Sequence, residues 1–396
     1  MKNSCERRLI INANLVSAGT MQTGCGLFIN GEGRIADVFS MSDFGKEKYG
    51  DCEVLDVQGR TVTPGLIDTH IHGIGGFGPD DCTPEATLGM SEKLARFGVT
   101  GFLPTLYAGK PEKMEKEAAT VAEAIGKETG ARILGINLEG PFLNPAKCGA
   151  QDPKALTCPD PSVFKAIAEA CKGHAKAMTI APELNGLEGI IPIAKEQGVV
   201  LLMGHTDATY DQALHAIDLG VLHATHTFNA MSNLVNRNPG VVGAVLLHDQ
   251  IHCELIADGV HVNKDLVAFT VKTKPDDKVI LITDSLKPTS LGPGRYVANG
   301  DQVVLGERGA FVMEKNPAVL CGSALTLNAA VRNVAAWTGD IAKAVRMATA
   351  NPAEVYGFKD LGVLAKGKLA DIAVFDENFN ATDVFVGGIP VFKAEY

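Results

Sequence analysis

The 396-residue chain contains no Cys-x-x-Cys pair, although it has nine cysteines. Cys5, Cys25, Cys52, Cys82, Cys148, Cys158, Cys171, Cys253 and Cys321 form an odd, scattered set, which argues against a disulfide frame or a structural zinc site. They read as free thiols in a reducing compartment. No stretch approaches the ~18 uninterrupted apolar residues of a membrane span, and the opening Met1-Lys-Asn-Ser-Cys-Glu-Arg-Arg lacks the apolar core of a secretory signal. The expectation is a soluble cytoplasmic protein with no membrane partner. Neither a Gly-x-x-x-x-Gly-Lys-Ser/Thr loop nor a dinucleotide fingerprint is present, which disfavours nucleotide cofactors. Positive charge is in deficit: 36 Lys and Arg against 46 Asp and Glu give a net charge of −10, which argues against nucleic acid as a partner. An anionic substrate is still allowed, because local arginine and backbone donors bind phosphate inside an acidic protein.

What is present is core-forming material, with 46% hydrophobic and only 21% charged residues. Short β-type segments at 8–12, 26–30, 33–39 and 53–57 open the chain, and 368–375 and 383–392 repeat the same strand-and-turn grammar near its end. Between them, apolar runs of strand length recur at 62–68, 99–105, 133–139, 177–183, 199–205, 222–227, 251–258 and 279–284. Amphipathic segments such as 84–97, 111–127, 162–171 and 212–219 separate them, as crossover helices separate parallel strands. Eight such units in a row predict an α/β fold, a (β/α)8 TIM-like barrel of ~250 residues or more. The expected division is a small β-sandwich from 1–60 and 355–396 and a barrel from 61–354. A Gly-rich, β-like segment at 292–319 and helical stretches at 326–338 and 341–350 follow the eighth strand.

Chemistry in a barrel sits at the C-terminal ends of the strands. Strand one ends in His70 and His72, strand three in Glu139, strand five in His205, strand six in His226 and strand eight in Asp284. The i, i+2 spacing of His70 and His72 turns both toward one point. Taken singly, each has a plain structural alternative: Glu139 as a turn cap, His205 and His226 as satisfied core histidines, Asp284 as a helix N-cap. Together, five of eight strands carry a potential metal ligand or acid–base group at the same end. His261, after strand seven, lies on the same rim and is a candidate substrate contact. His174, His215, His223, His248 and His252 read as structural. The loop after strand six carries Asn229 and Arg237, a set suited to phosphate or carboxylate.

Several stretches resemble a known family. Pro64-Gly-Leu-Ile-Asp-Thr-His-Ile-His-Gly is similar to the first-strand signature of the amidohydrolase superfamily. Glu139-Gly-Pro-Phe, Gly204-His-Thr-Asp-Ala, Thr225-His-Thr-Phe-Asn-Ala-Met, Asp258-Gly-Val-His and Thr283-Asp together resemble its N-acetylglucosamine-6-phosphate deacetylase family. Cys321-Gly-Ser-Ala-Leu-Thr, Ala350-Asn-Pro-Ala and Gly367-Lys-Leu-Ala-Asp extend the likeness over nearly the whole chain. The resemblance implies a metal-dependent barrel enzyme that removes acetate from a sugar phosphate. It implies Glu139, His205 and His226 as ligands of a primary metal, with Glu139 in the place that a carboxylated lysine takes elsewhere in the superfamily. It assigns Asp284 to catalysis and Asn229, Ala230, Arg237 and His261 to the sugar phosphate, with Arg237 reaching across a homodimer. His70 and His72 permit a second metal, so one or two divalent ions per subunit are expected: zinc first, with iron, manganese or cobalt as alternatives. Gln151 departs from the histidine of some members; it can donate a hydrogen bond to substrate but carries neither charge nor proton. The alternatives are a deacetylase for the galactosamine epimer, a cyclic-amide hydrolase or deaminase on the same fold, and a metal-free binding or scaffold homologue.

Overall fold

Strands Leu66–Ile71, Val99–Leu106, Ile136–Leu138, Ala175–Ile180, Val200–Met203, His223–Ala224, His252–Ile256 and Val279–Ile282 pair in that order, all parallel, in the computed structural model. The structure describes residues 5–306 and 309–395; the first four residues of the N-terminal segment read above lie outside them. The first and last strands meet where the Asp284 N–H donates to the His70 carbonyl at 2.8 Å and the Thr283 hydroxyl donates to Asp68 at 2.8 Å. That contact brings the sheet round into a nearly closed barrel. Its strands are mostly apolar on both faces, because side chains fill the interior and helices cover the outside. Helices Pro84–Ala95, Pro111–Ala124 and Pro161–Ala170 each start on proline, whose missing N–H has no helical partner to lose there. Thr83 and Asp160 cap the first and third of them through their side chains.

Two of the eight expected barrel runs are interrupted. In the chain ends, the segments expected at 8–12 and 26–30 lie within longer or shifted strands, Arg8–Ser17 and Thr20–Ile29, and the one at 383–392 is two strands, Ala381–Val386 and Ile389–Lys393. The run at 62–68 is split: Thr61–Pro64 pairs with Arg8–Ser17 and Ile372–Phe375, and the barrel strand begins only at Leu66. Gly65 makes the crossing at a point where any Cβ would lie 2.0 Å from Thr100 Oγ1, so the chain there has room for backbone alone. The run at 133–139 is likewise interrupted, because Gly135 (φ +152°) breaks the ladder between Arg132–Ile133 and Ile136–Leu138.

The chain ends build one mixed sheet of eight strands. Strand Arg8–Ser17 changes partner along its length, pairing first with Glu53–Asp56 and then with Thr61–Pro64. Register shifts between Ile10, Ala13 and Leu15, with Asn12 at φ +56°, bend it at the change, so this strand serves both faces of a small sandwich. Ile10, Leu27, Ile29, Val62, Ile372 and Phe385 fill the space between. Arg132 holds this sheet to the barrel, with Nε and Nη2 at 3.1 and 3.2 Å from the two oxygens of Asp371. The Gly-rich segment after strand eight forms a four-stranded antiparallel sheet, Arg295–Ala298, Asp301–Leu305, Ala310–Met313 and Asn316–Ser323, packed on Tyr107 and Leu286. Among the described residues no helix is long and apolar enough to cross a membrane.

Candidate metal centre and active site

The side chains singled out at the strand ends converge at the C-terminal mouth of the barrel. His70 lies in the first strand and His72 just beyond it; Glu139 follows Leu138 directly. His205, His226 and Asp284 each stand two residues past the last paired residue of their strand, at φ +46°, +28° and +49°. Left-handed backbone at three non-glycine positions costs about 1–2 kcal/mol each and concentrates at functional sites. Here it turns each side chain over the barrel mouth, where continued strand would have carried it outward.

The donors fall into two groups, His70/His72/Asp284 and Glu139/His205/His226, the atoms of each lying within 4.8 Å of one another. Glu139 Oε1 lies 3.0 Å from His205 Nε2 and 3.1 Å from His226 Nε2, and these two nitrogens are 3.1 Å apart. Its other oxygen lies 3.2 Å from His72 Nε2, which is 3.3 Å from Asp284 Oδ1. Glu139 therefore faces both groups. His70 Nε2 stands 3.6 Å from Glu139 and 3.5 Å from Asp284.

The donor chemistry fits a cation. His205 Nδ1 donates to the Lys147 carbonyl at 2.8 Å and His72 Nδ1 to the Thr105 carbonyl at 3.1 Å, which in the neutral rings leaves both Nε2 atoms as lone pairs facing carboxylate oxygen. A main-chain carbonyl or carboxylate on the far nitrogen is the usual companion of a metal-bound histidine. His70 Nε2 and His226 Nδ1 are buried without a hydrogen-bond partner among the described residues. Ligands on a tetrahedron of radius about 2.0–2.1 Å stand about 3.3 Å apart, close to the spacings seen here.

Without a cation these groups shift one another strongly. Against the penalty of burial, His205, His226 and His72 hold Glu139 well below the usual carboxylate range, and His72 with His70 lowers Asp284. Also against burial, Asp284 and Glu139 raise His72 to about 10, and His70 and His205 are raised by their facing carboxylates. Bound metal would replace those protons.

A cavity of about 330 Å³ opens over this centre. Its wall includes His72, Glu139, His205, His226 and Asp284, together with Gln151, Asn229, Ala230 and His261. His261 is fixed by Asp258, whose Oδ2 lies 2.6 Å from Nδ1, and Asn229 donates to the His226 carbonyl at 3.1 Å. The Gln151 amide is held at both ends: Oε1 accepts from the Ala108 N–H at 3.1 Å and Nε2 donates to Glu139 Oε2 at 2.5 Å. Arg237 is not brought to the cavity of its own chain and stands exposed on the loop after strand six, beside exposed Leu234 and Val235. His174, His215, His223, His248 and His252 stay outside the cavity wall.

Three features escape the sequence reading. Tyr107, beyond strand two, stacks on His72 with ring centroids 3.9 Å apart and planes 6° from parallel; the strand-end rule would have selected it had aromatics been included. Glu254, inside strand seven, contacts His70, and its signal is one acid in an apolar run. Leu320, Cys321 and Gly322 form a cavity wall from the four-stranded sheet; the motif that opens at Cys321 carries part of the family likeness, but no local pattern gives its place on the cavity.

Comparison with known proteins agrees with this geometry. Residues 61–391 match the model of the amidohydrolase family. An N-acetylglucosamine-6-phosphate deacetylase from Bacillus subtilis is 34% identical over 343 residues, 83% of this chain and 84% of the relative. An N-acetylgalactosamine-6-phosphate deacetylase from Escherichia coli is 30% identical over 338 residues, 85% of this chain and 89% of that one. Among solved structures, a mutant N-acetyl-D-glucosamine-6-phosphate deacetylase from Mycobacterium smegmatis in complex with N-acetyl-D-glucosamine-6-phosphate superposes with a TM-score of 0.91 at 29% identity, covering 98% of this chain and all of the other. With a barrel, a strand-end cluster of histidines and acids, and a family match across most of its length, the chain belongs to the amidohydrolase family.

Proposed function

We propose that this chain hydrolyses the acetamide of N-acetylglucosamine 6-phosphate to glucosamine 6-phosphate and acetate. The observation that carries the reading is the pair of donor groups, His70/His72/Asp284 and Glu139/His205/His226, with Glu139 facing both, beside a cavity also walled by Asn229, Ala230 and His261. Glu139, His205 and His226 would hold the primary divalent cation, and His70 and His72 with Asp284 a second one. When bound, such a cation polarises the acetamide carbonyl and acidifies a water. Asp284 takes the proton of the attacking water and then delivers it to the departing amine. Asp284 lies on the cavity wall with its Oδ1 facing His72 Nε2 at 3.3 Å and His70 Nε2 at 3.5 Å, which keeps its carboxylate beside the proposed metal centre. Asn229, the Ala230 main chain and His261 receive the sugar phosphate. Arg237, exposed at its loop tip, fits a homodimer in which it reaches the partner's cavity. Gln151 orients Glu139 through its amide and leaves the proton to Asp284. Zinc suits the histidine and carboxylate set, with iron, manganese and cobalt as competitors. Nine unpaired cysteines support a cytoplasmic setting.

A second reading has its own support, since one relative bears the name of the galactosamine epimer's deacetylase. Steady-state kinetics on both epimeric 6-phosphates, with metal content measured on the same preparation, separates the two. Higher kcat/KM on the glucosamine epimer is expected. Higher kcat/KM on the other epimer would transfer the assignment, and no acetate from either by metal-loaded protein would refute both.

A further inference from the structure

Glu254 lies in the seventh barrel strand with its side chain turned into the barrel, 2% exposed. Its Oε2 stands 3.3 Å from His70 Nδ1 and accepts the His226 main-chain N–H at 3.4 Å. Its Oε1 has no hydrogen-bond partner among the described residues. A carboxylate so deeply buried is costly unless positive charge stands close by, and the only ion-pair partner that the described residues provide is the imidazole of His70.

The geometry points to Glu254 as a positioning residue that makes the His70/His72/Asp284 group competent to bind a cation. By accepting the Nδ1 proton, Glu254 leaves His70 Nε2 as a lone pair, and that nitrogen is the buried, unpartnered atom facing Asp284 at 3.5 Å. The other histidines have weaker support on their far side: His72 and His205 face neutral main-chain carbonyls, and His226 Nδ1 has no partner. His70 alone is backed by a group that can carry full negative charge, which raises its basicity as a ligand. Three carboxylates, Glu139, Asp284 and Glu254, are then gathered around four imidazoles. One divalent cation leaves part of that negative charge unbalanced, and a second at the first-strand group removes it. The inference rests on the metal-dependent reading above.

The test is zinc binding to the full-length protein, counted by elemental analysis and resolved by competition with a chromophoric chelator. The wild type is compared with Glu254→Gln, which keeps an acceptor for the His70 N–H but no charge, and with Glu254→Leu, which keeps neither. Two equivalents are expected in the wild type. In the Gln variant one equivalent should weaken by about 10–100-fold while the other is unchanged. The Leu variant should keep only the unchanged one. A merely structural glutamate would not separate the two equivalents in this way. Unaltered affinity of both equivalents in the Gln variant would overturn the inference even if the Leu variant fails to fold. A single wild-type equivalent, indifferent to either substitution, would also overturn it. A wild type that takes up no zinc, iron, manganese or cobalt would instead bring down the metal-dependent reading itself.

Discussion

The histidine pair at the opposite end of the barrel gives a prediction whose size follows from the structure. His223 and His252 open strands six and seven, pair in register, and stack with ring centroids 4.6 Å apart and planes 11° from parallel. Burial, then the charge of His252, then that of Lys278 depress His223 to about 3. Burial and Lys278 depress His252 to about 4, and the Lys278 ammonium stands 3.4 Å from its Nε2. In the unfolded chain both titrate near 6.5. Folding thus excludes protons that the unfolded chain binds, so the stability involved is present above about pH 6.5 and is lost as pH falls toward the folded values. At pH 5 an unfolded histidine gains about 2 kcal/mol from its proton, against about 0.2 kcal/mol at pH 7, while the folded ring gains almost nothing. Replacing His223 by Phe preserves the stacked ring and removes one of these groups. Urea unfolding of wild type and His223→Phe at pH 7 and pH 5 isolates it, because the metal-site histidines titrate identically in both proteins. The difference in unfolding free energy should move by about 2 kcal/mol in favour of the variant at pH 5. Parallel pH profiles, or a wild-type His223 resonance that titrates near 6.5, would refute the reasoning.

Replacing Asp284 by Asn should lower kcat by about 10²–10⁴-fold while the Glu139/His205/His226 equivalent of metal is retained; near-normal turnover would remove Asp284 from proton transfer. Arg237→Ala should raise KM for the 6-phosphate with little change for the unphosphorylated sugar, and an unchanged preference between them would count against a phosphate role. Arg132→Ala leaves the buried Asp371 carboxylate with the Gly387 N–H but without its cation; because the Arg132 side chain is 37% exposed and water can enter the gap, a loss of about 1–3 kcal/mol is expected, read as a lower unfolding midpoint with activity per folded molecule intact.

The eight βα units were legible because strand and helix periodicities are local properties of the chain. The rim residues were legible for the same reason: a polar group closing an apolar run marks the mouth of a barrel whichever strand carries it. His70, His72, Glu139, His205, His226 and Asp284 all follow that rule, and the structure brings them together. Strand limits were less readable. Thr61–Pro64 continues the apolar run of the first strand, yet its partners are Leu15 and Val374, remote in sequence. Tyr107 and Glu254 were missed because a phenol or a mid-strand acid has no fixed reading until its neighbours are known. Arg237 shows the converse: its type suits phosphate, but its own chain leaves it outside the cavity.

The sequence by itself determined a parallel barrel with its chemistry on one rim, since both follow from side-chain order along the chain. Only the tertiary structure decided the contacts among the rim residues: Glu139 facing both donor groups, the first strand seamed to the eighth, and His70 meeting Glu254 across 184 positions. Barrel closure fixes which strand ends stand within about 3 Å of one another, and no local period carries that information.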